Sequence, residues 1–204
     1  MLIENLVVGS FAANCYVLQC ESTKKGIVID PGDESERILS KIKQMDMTVE
    51  KIVLTHGHPD HCAGVKGVKA VTDASVMMHA GDIKIVNDHL LRGMLGINDN
   101  YVIKVDELLE HDQKIEVGSI TLSVISTPGH SPGSICLKGD GVIFTGDLLF
   151  AGGIGRSDLP GGSTEEIARS LRMIMRLDPD IKVYPGHGPV TTIGAESRGN
   201  IYLC

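Results

Sequence analysis

The stretch LTHGHPDHCAG, Leu54 to Gly64, places three histidines and one aspartate within the six residues from His56 to His61. It follows the apolar run "VEKIVL" directly. A solvated loop has no need of four potential metal ligands so close together, and a buried one would leave them without partners. On an extended backbone His56 and His58 point the same way, because side chains repeat every two residues. Pro59 cannot continue a central strand, so the chain turns there and presents Asp60 and His61 in another direction.

Three further apolar runs end in the same manner. "VISTPGH" ends in His130, "VIFTGD" in Asp147 and "KVYPGH" in His187. Strand ends are rigid places from which side chains can converge. One metal could take His56, His58 and His130, and a second Asp60, His61 and His187, with Asp147 bridging the two. Imidazole and carboxylate donors suit Zn, Fe or Mn rather than a thiolate-preferring ion. Any one of these motifs alone reads as a structural residue or a common turn; all four in order read as a metal centre. His79, His89 and His111 lack this setting and read as structural or solvated, with His79, after "ASVMM", the least typical of them.

Around these motifs the chain reads as strands and helices in two rounds. "ENLVVG", "NCYVLQC" and "GIVIDPG" are short, rich in Val and Ile, and bounded by turn residues. Residues 34–47 carry Ile38, Ile42 and Met45 at helical spacing, and "VEKIVLTH" is apolar enough to be covered on both faces. The second half repeats the theme with "ITLSVISTPGH", "SICLKG" and "GVIFTGD", a helix over 164–177 opening on Glu165 and Glu166, and the strand "IKVYPGH". Residues 79–112 read as helical with a connecting loop. Without a Pro/Ser-rich linker, residues 1–204 are expected to form one domain of two similar halves, their sheets facing each other between outer helices.

At 204 residues, with 42% hydrophobic and 22% charged side chains, the composition is that of a globular chain. A net charge of −7 without a Lys/Arg cluster argues against a nucleic-acid partner. The N-terminus "MLIENLVVGSFAAN" has Glu4 within its apolar stretch and no basic leader, and no run reaches the length of a membrane helix. Five scattered cysteines (15, 20, 62, 136 and 204) without CxxC spacing read as reduced thiols of a cytoplasmic protein, Cys62 as a small buried residue. The oligomeric expectation is a monomer or small homo-oligomer.

The motifs "THGHPDH", "TPGHSPGS", "GDLLF" and "PGHGP" resemble the successive metal motifs of the metallo-β-lactamase superfamily, over nearly the whole chain. The resemblance implies an α+β fold, a four-layer αβ/βα sandwich, with a binuclear site at one edge of the sheets. Asp147 as the bridging ligand is unlike the antibiotic-cleaving lactamases, which typically have a cysteine or serine there. "LLFAGGIGRSDLPGG" and "TTIGAESRGNIYL" are similar to segments of glyoxalase II (hydroxyacylglutathione hydrolase) and its short bacterial relatives. The longer glyoxalase II enzymes add a C-terminal helical domain that holds glutathione, whereas this sequence ends at Cys204. They also carry a substrate-binding tyrosine where Asp158 stands here. Arg156 is the expected grip for a substrate carboxylate, with a hydrogen bond to loop carbonyls as the alternative.

The implied activity is thioester hydrolysis, with S-lactoylglutathione as the example and weak preference for the glutathione moiety. A metal-bound hydroxide attacks the carbonyl and a thiolate leaves, its pKa near 8.5 removing the need for a protein acid. Asp60 is both a ligand and the candidate proton shuttle. The nearest alternative is a mononuclear iron persulfide dioxygenase, which keeps ligands like His56, His130 and Asp147; a lactonase is the third. Asp60, His61 and His187, intact, weigh against the dioxygenase. An electron-transfer scaffold lacks its flavin partner, and an RNA-processing nuclease its basic arm.

Overall fold

All seven residues of Ala13–Gln19 are buried, which requires cover on both faces of that strand. Their alternation sorts them into two cores: Cys15 and Val17 pack towards helices, and Tyr16 and Leu18 towards a second sheet. The computed structural model describes residues 1–94, 96 and 101–203. Cys204 and part of the 79–112 segment, with the expectations attached to them, lie outside the described residues.

The first half contains β1 (Leu2–Val8), β2 (Ala13–Gln19), β3 (Lys25–Ile29), α1 (Ser35–Gln44), β4 (Thr48–Val53), α2 (Pro59–Cys62), α3 (Val65–Thr72) and β5 (Ser75–His79). A 3₁₀ turn (Ala80–Asp82), α4 (Ile83–Val86), α5 (His89–Met94) and β6 (Glu107–Leu109) complete it. These strands form one sheet in sequential order, antiparallel from β1 to β3 and parallel from β3 to β6. The second half contains β7 (Lys114–Val117), β8 (Ile120–Ser126), β9 (Ile135–Lys138), β10 (Val142–Gly146), β11 (Leu149–Phe150), β12 (Gly153–Ile154), α6 (Thr164–Ile174), β13 (Lys182–Pro185), β14 (Thr191–Thr192) and α7 (Ile193–Gly199). Its main sheet runs β14-β13-β10-β9-β8-β7, and β11 with β12 forms a separate hairpin.

Three cores separate four layers. Val28, Ile38, Ile52, Val65 and Val68 lie between the first sheet and its helices. Leu18, Ile29, Val53, Leu122, Val124 and Phe144 lie between the sheets, and Ile143, Val183, Ile167, Leu171 and Ile193 beneath α6 and α7. The αβ/βα sandwich expected from the sequence is the observed fold. Helix ends differ. The helix expected over 34–47 stops at Gln44, where the Met45 N–H closes back on Lys41 and Asp46 turns left-handed with φ 50°. The one expected over 164–177 stops at Ile174, because Arg176 and Leu177 bond to carbonyls three residues back in a tighter turn. Ser163, whose side chain accepts from the Glu166 N–H, caps its start. The segment expected to be helix and loop also supplies β6, an edge strand too short to show alternation.

Cross-links between the halves meet at one end of the sandwich. From β2, the Asn14 side-chain amide donates to the carbonyls of Pro185 and Gly188, both at 2.9 Å, and the Tyr16 hydroxyl donates to Pro185 at 2.6 Å. The Ile135 N–H donates to the Thr55 carbonyl at 2.9 Å. Among the described residues, Cys15, Cys20, Cys62 and Cys136 are buried and free, and no helix is long and apolar enough to cross a membrane.

The ring of Phe144 is fully buried between the sheets, 5.2 Å from both Tyr16 and Tyr184. Phe144→Ala is expected to destabilise the metal-free protein by about 3–5 kcal/mol, measured by urea unfolding in the presence of chelator. A change within 0.5 kcal/mol, the usual range for a surface substitution, would show that this ring does not hold the two sheets together.

Candidate metal centre

The β4 strand ends at Val53, and the chain runs on through Thr55 to His58 before Pro59 opens α2 at its first position. His56 and His58 therefore leave the sheet from an irregular stretch, while Asp60 and His61 lie on the first turn of a helix. The turn at Pro59 redirects the last two ligands as the sequence suggests. His130 follows β8, Asp147 follows β10 and His187 follows β13. All seven predicted ligands converge.

One ligand atom from each of His56, His58 and His130 lies within 4.8 Å of the others, and the same holds for Asp60, His61 and His187. His58 Nδ1 is 2.8 Å from His130 Nε2, and His61 Nε2 is 3.1 Å from His187 Nε2. Asp147 lies between the clusters: Oδ2 is 3.5 Å from His130 Nε2 and 3.6 Å from His187 Nε2, and Oδ1 is 3.3 Å from His61 Nε2.

Hydrogen bonds behind the rings determine which nitrogens face inward. Thr55 Oγ1 donates to Asp30 at 2.6 Å, so it accepts from His56 Nδ1–H at 3.1 Å. His61 Nδ1 donates to Asp30 at 3.1 Å, and His130 Nδ1 to the Arg156 carbonyl at 2.8 Å. Each ring thus aims Nε2 at the centre, the arrangement in which a metal-binding histidine is oriented by an outer acceptor. His56 Nε2 and Asp147 Oδ1 are buried and have no hydrogen-bond partner. Buried polar atoms are nearly always satisfied, so these orphans point to an absent cation. The set fits divalent metal ions in donor type, spacing and orientation.

Protonation differs between the clusters. Burial, and then the neighbouring rings, push His56 well below the ordinary histidine range and His58 down to about 4. Burial also opposes charge on His61 and His187, but the carboxylates of Asp147, Asp30 and Asp60 outweigh it and raise both. Asp147 stays below the usual carboxylate range because the His61 ring overcomes its burial.

Above the ligands opens a cleft of about 460 Å³, with apolar walls from Phe11, Leu91, Phe150, Ile154 and Leu159. Asp60, Asp147 and His187 border it, as does Arg156. The Arg156 guanidinium pairs within its own loop: Nε and Nη2 donate to the two carboxylate oxygens of Asp158 at 2.8 and 2.9 Å. His79 accepts from the Gly81 N–H, His111 accepts from the Ser126 N–H, and His89 is exposed; none of the three approaches the centre. Cys62 is fully buried in the first-half core.

Asp30 went unrecognised in the sequence. It is 2% exposed and accepts from the Thr55 N–H, the Thr55 hydroxyl and His61. The signal was present, since "GIVIDPG" is another strand exit ending in an acid. Glu196 was also missed. It accepts from the Gly152 N–H and the Thr191 hydroxyl, which pins the β11–β12 hairpin carrying Phe150 and Ile154. Gly186 shows why a glycine precedes His187: a Cβ there would collide with the Asp147 carboxylate and the His61 ring.

A four-layer sandwich with histidine and aspartate clusters at its strand ends defines a metallohydrolase-type protein. The family model described as metallo-beta-lactamase superfamily matches residues 8–187, and the chain belongs to that superfamily. A relative from Haemophilus influenzae named hydroxyacylglutathione hydrolase GloC is 33% identical, covering 100% of this chain and 98% of its own. The crystal structure of BLEG-1 B3 metallo-beta-lactamase superposes with a TM-score of 0.90 at 33% identity, covering 99% of each chain. TTHA1623 in a di-iron-bound form superposes with a TM-score of 0.88 at 31% identity, over 98% of this chain and all of that one.

The protonation difference yields a pH prediction. An ion entering the Asp60–His61–His187 cluster displaces ring protons, and one entering beside the neutral His56 and His58 displaces none from those two rings. As pH falls from about 8 to about 6, affinity at the first of these clusters is expected to drop more steeply. Calorimetric metal titrations in buffers of different ionisation enthalpy count the released protons directly. Equal proton release by both ions would contradict the assignment. Asp30→Asn is expected to weaken metal binding about ten- to hundredfold while leaving the chain folded.

Proposed function

We propose that the chain hydrolyses thioesters of the hydroxyacylglutathione type at a binuclear centre held by His56, His58, Asp60, His61, His130, Asp147 and His187. The observation that carries the reading is that Asp147 Oδ2 faces both donor clusters on the floor of an apolar-walled cleft. Two divalent ions held by these residues, Zn foremost with Fe or Mn as alternatives, would supply a nucleophile from water at neutral pH and electrostatic stabilisation of the carbonyl oxygen. Asp147 sets the spacing of the two clusters, and Asp30 holds His61 and, through Thr55, His56 in the ligating tautomer. Asp60 borders the cleft while lying 3.4 Å from His187 Nε2, which suits it to hold a proton released from the attacking water. Phe11, Leu91, Phe150, Ile154 and Leu159 exclude bulk water from the reacting carbonyl.

A thiolate leaves without a protein acid because its conjugate thiol is already acidic, which suits a cleft whose described acids, Asp60 and Asp147, belong to the ligand set. Arg156 borders the cleft, and Asp158 takes the Nε–Nη2 edge of its guanidinium. A glutathione carboxylate is left the Nη1–Nη2 edge and meets the like charge of that tethered carboxylate beside it, which supports a weak preference for the glutathione moiety. The name of the GloC relative is in line with the thioester reading, and that of BLEG-1 makes β-lactams worth testing as substrates.

Metal-analysed protein is expected to hold about two ions per chain and to turn over S-lactoylglutathione. The same acyl group on a small neutral thiol should be cleaved with kcat/KM within about tenfold. Turnover of glutathione persulfide, a lactone or a β-lactam in the same panel, without thioester cleavage, would overturn the proposal. Asp147→Ala is expected to reduce kcat by about a hundredfold or more, because the ligand shared by both clusters is lost. Arg156→Ala should change mainly KM, by less than about tenfold. Wild-type kcat in Asp147→Ala with both ions bound would refute the bridging role.

A further inference from the structure

Beyond the ligands and Asp30 there is a second fully buried carboxylate, Asp82, at 0% exposure. It ends the 3₁₀ turn that follows β5, a turn capped by His79 through the Gly81 N–H. Asp82 Oδ2 accepts from the Gly57 N–H at 2.8 Å and the Ser131 hydroxyl at 2.5 Å, and Oδ1 accepts from the Gly133 N–H at 2.6 Å. Gly57 lies between His56 and His58; Ser131 follows His130, and Gly133 lies two residues further on. The three donors thus flank ligands of one cluster, and they come from opposite halves of the fold.

The surroundings show how closely these segments are held. A Cβ on Gly57 would lie 2.9 Å from the Asp82 carbonyl oxygen, one on Gly81 2.8 Å from the Gly133 nitrogen, and one on Gly133 2.6 Å from the Asp82 nitrogen. Real Cβ atoms do not approach so near, so three glycines let three backbones close around one carboxylate. Two charge-assisted backbone bonds and one to a hydroxyl satisfy Asp82, each stronger than a neutral hydrogen bond. Asp30 serves a different set of groups. It reaches His61 directly and His56 through Thr55, and makes none of the three bonds that Asp82 makes.

We propose that Asp82 is a positioning residue that ties the His56–His58 loop to the His130 loop and so sets the metal affinity of that cluster selectively. His56 and His58 descend from the first sheet and His130 from the second, so their separation depends on how the halves dock. Asp82 is a buried group that bonds to both loops at once. Without it the Asp60–His61–His187 cluster keeps its own supports, namely α2, Asp30 and the Asn14 clamp on the Pro185–Gly188 loop. The inference rests on the ligand assignment proposed above and is independent of which substrate is cleaved.

The test titrates chelator-stripped protein with Zn²⁺ against a chromophoric competitor and fits the two ions separately, with no substrate present. Asp82→Asn retains the shape but turns an amide group towards N–H and O–H donors. It is expected to weaken one ion about ten- to hundredfold and leave the other within about threefold. The loss should persist in a His187→Ala background and vanish in His58→Ala, where the affected cluster is already broken. Ser131→Ala, which removes one donor and no charge, should weaken the same ion to a smaller extent and serves if Asp82→Asn does not fold. Unchanged affinities, equal weakening of both ions, or an effect that survives in His58→Ala would overturn the proposal. A wild type that binds a single ion would instead overturn the two-ion assignment, and the Asp82 variant would still be judged on that ion.

Discussion

Five imidazoles and two carboxylates meet in a space where neighbouring donors lie 2.8 to 3.6 Å apart. Inside a protein such a collection is unfavourable unless something positive sits among the lone pairs. The Nδ1–H groups of His56, His61 and His130 are committed outward to Thr55, Asp30 and the Arg156 carbonyl. Their remaining nitrogens therefore cannot turn away to find other partners. The orphaned His56 Nε2 and Asp147 Oδ1 express the same condition. Much of the local architecture serves to hold these atoms facing a cation.

The requirement explains why the ligands come from both halves. A single sheet presents its strand ends in a row, whereas two facing sheets bring strand ends towards a common point. The interface between them is the apolar core around Tyr16, Leu122 and Phe144, which is non-directional and tolerates sliding. Directional bonds remove that freedom at the end that matters: Asn14 and Tyr16 grip the loop before His187, Thr55 accepts from Ile135, and Asp82 bonds to two ligand loops. Burial holds the layers together, and polar contacts set their register to the accuracy that metal coordination demands.

Above the metal centre the cleft is simpler. Its walls are apolar and Arg156 at its border is paired with Asp158, so among the described residues the ligand set supplies most of the polar groups that face a substrate. Catalytic power must then come from the floor, while selectivity depends on shape and on the hairpin that Glu196 pins in place.

Much of the centre was legible along the chain because ligand chemistry is carried by residue type and strand exits by apolar runs ending in glycine or proline. His56, His58, Asp60, His61, His130, Asp147 and His187 all announce themselves in this way, as do the strands that carry them. Alternation and the order of elements suggested two similar halves, and the family resemblance of the motifs implied the four-layer sandwich. Asp30 and Asp82 were not recognised, because an isolated aspartate after a strand is ordinarily a turn residue and only its neighbours reveal three converging donors. The pairing of Arg156 with Asp158 was equally hidden, since spacing alone cannot say whether a guanidinium faces a substrate or its own chain. The sequence by itself determined which atoms are available to a metal. Only the tertiary structure decided which nitrogen of each ring faces inward and how the two halves align, because both depend on hydrogen bonds between residues far apart in the chain.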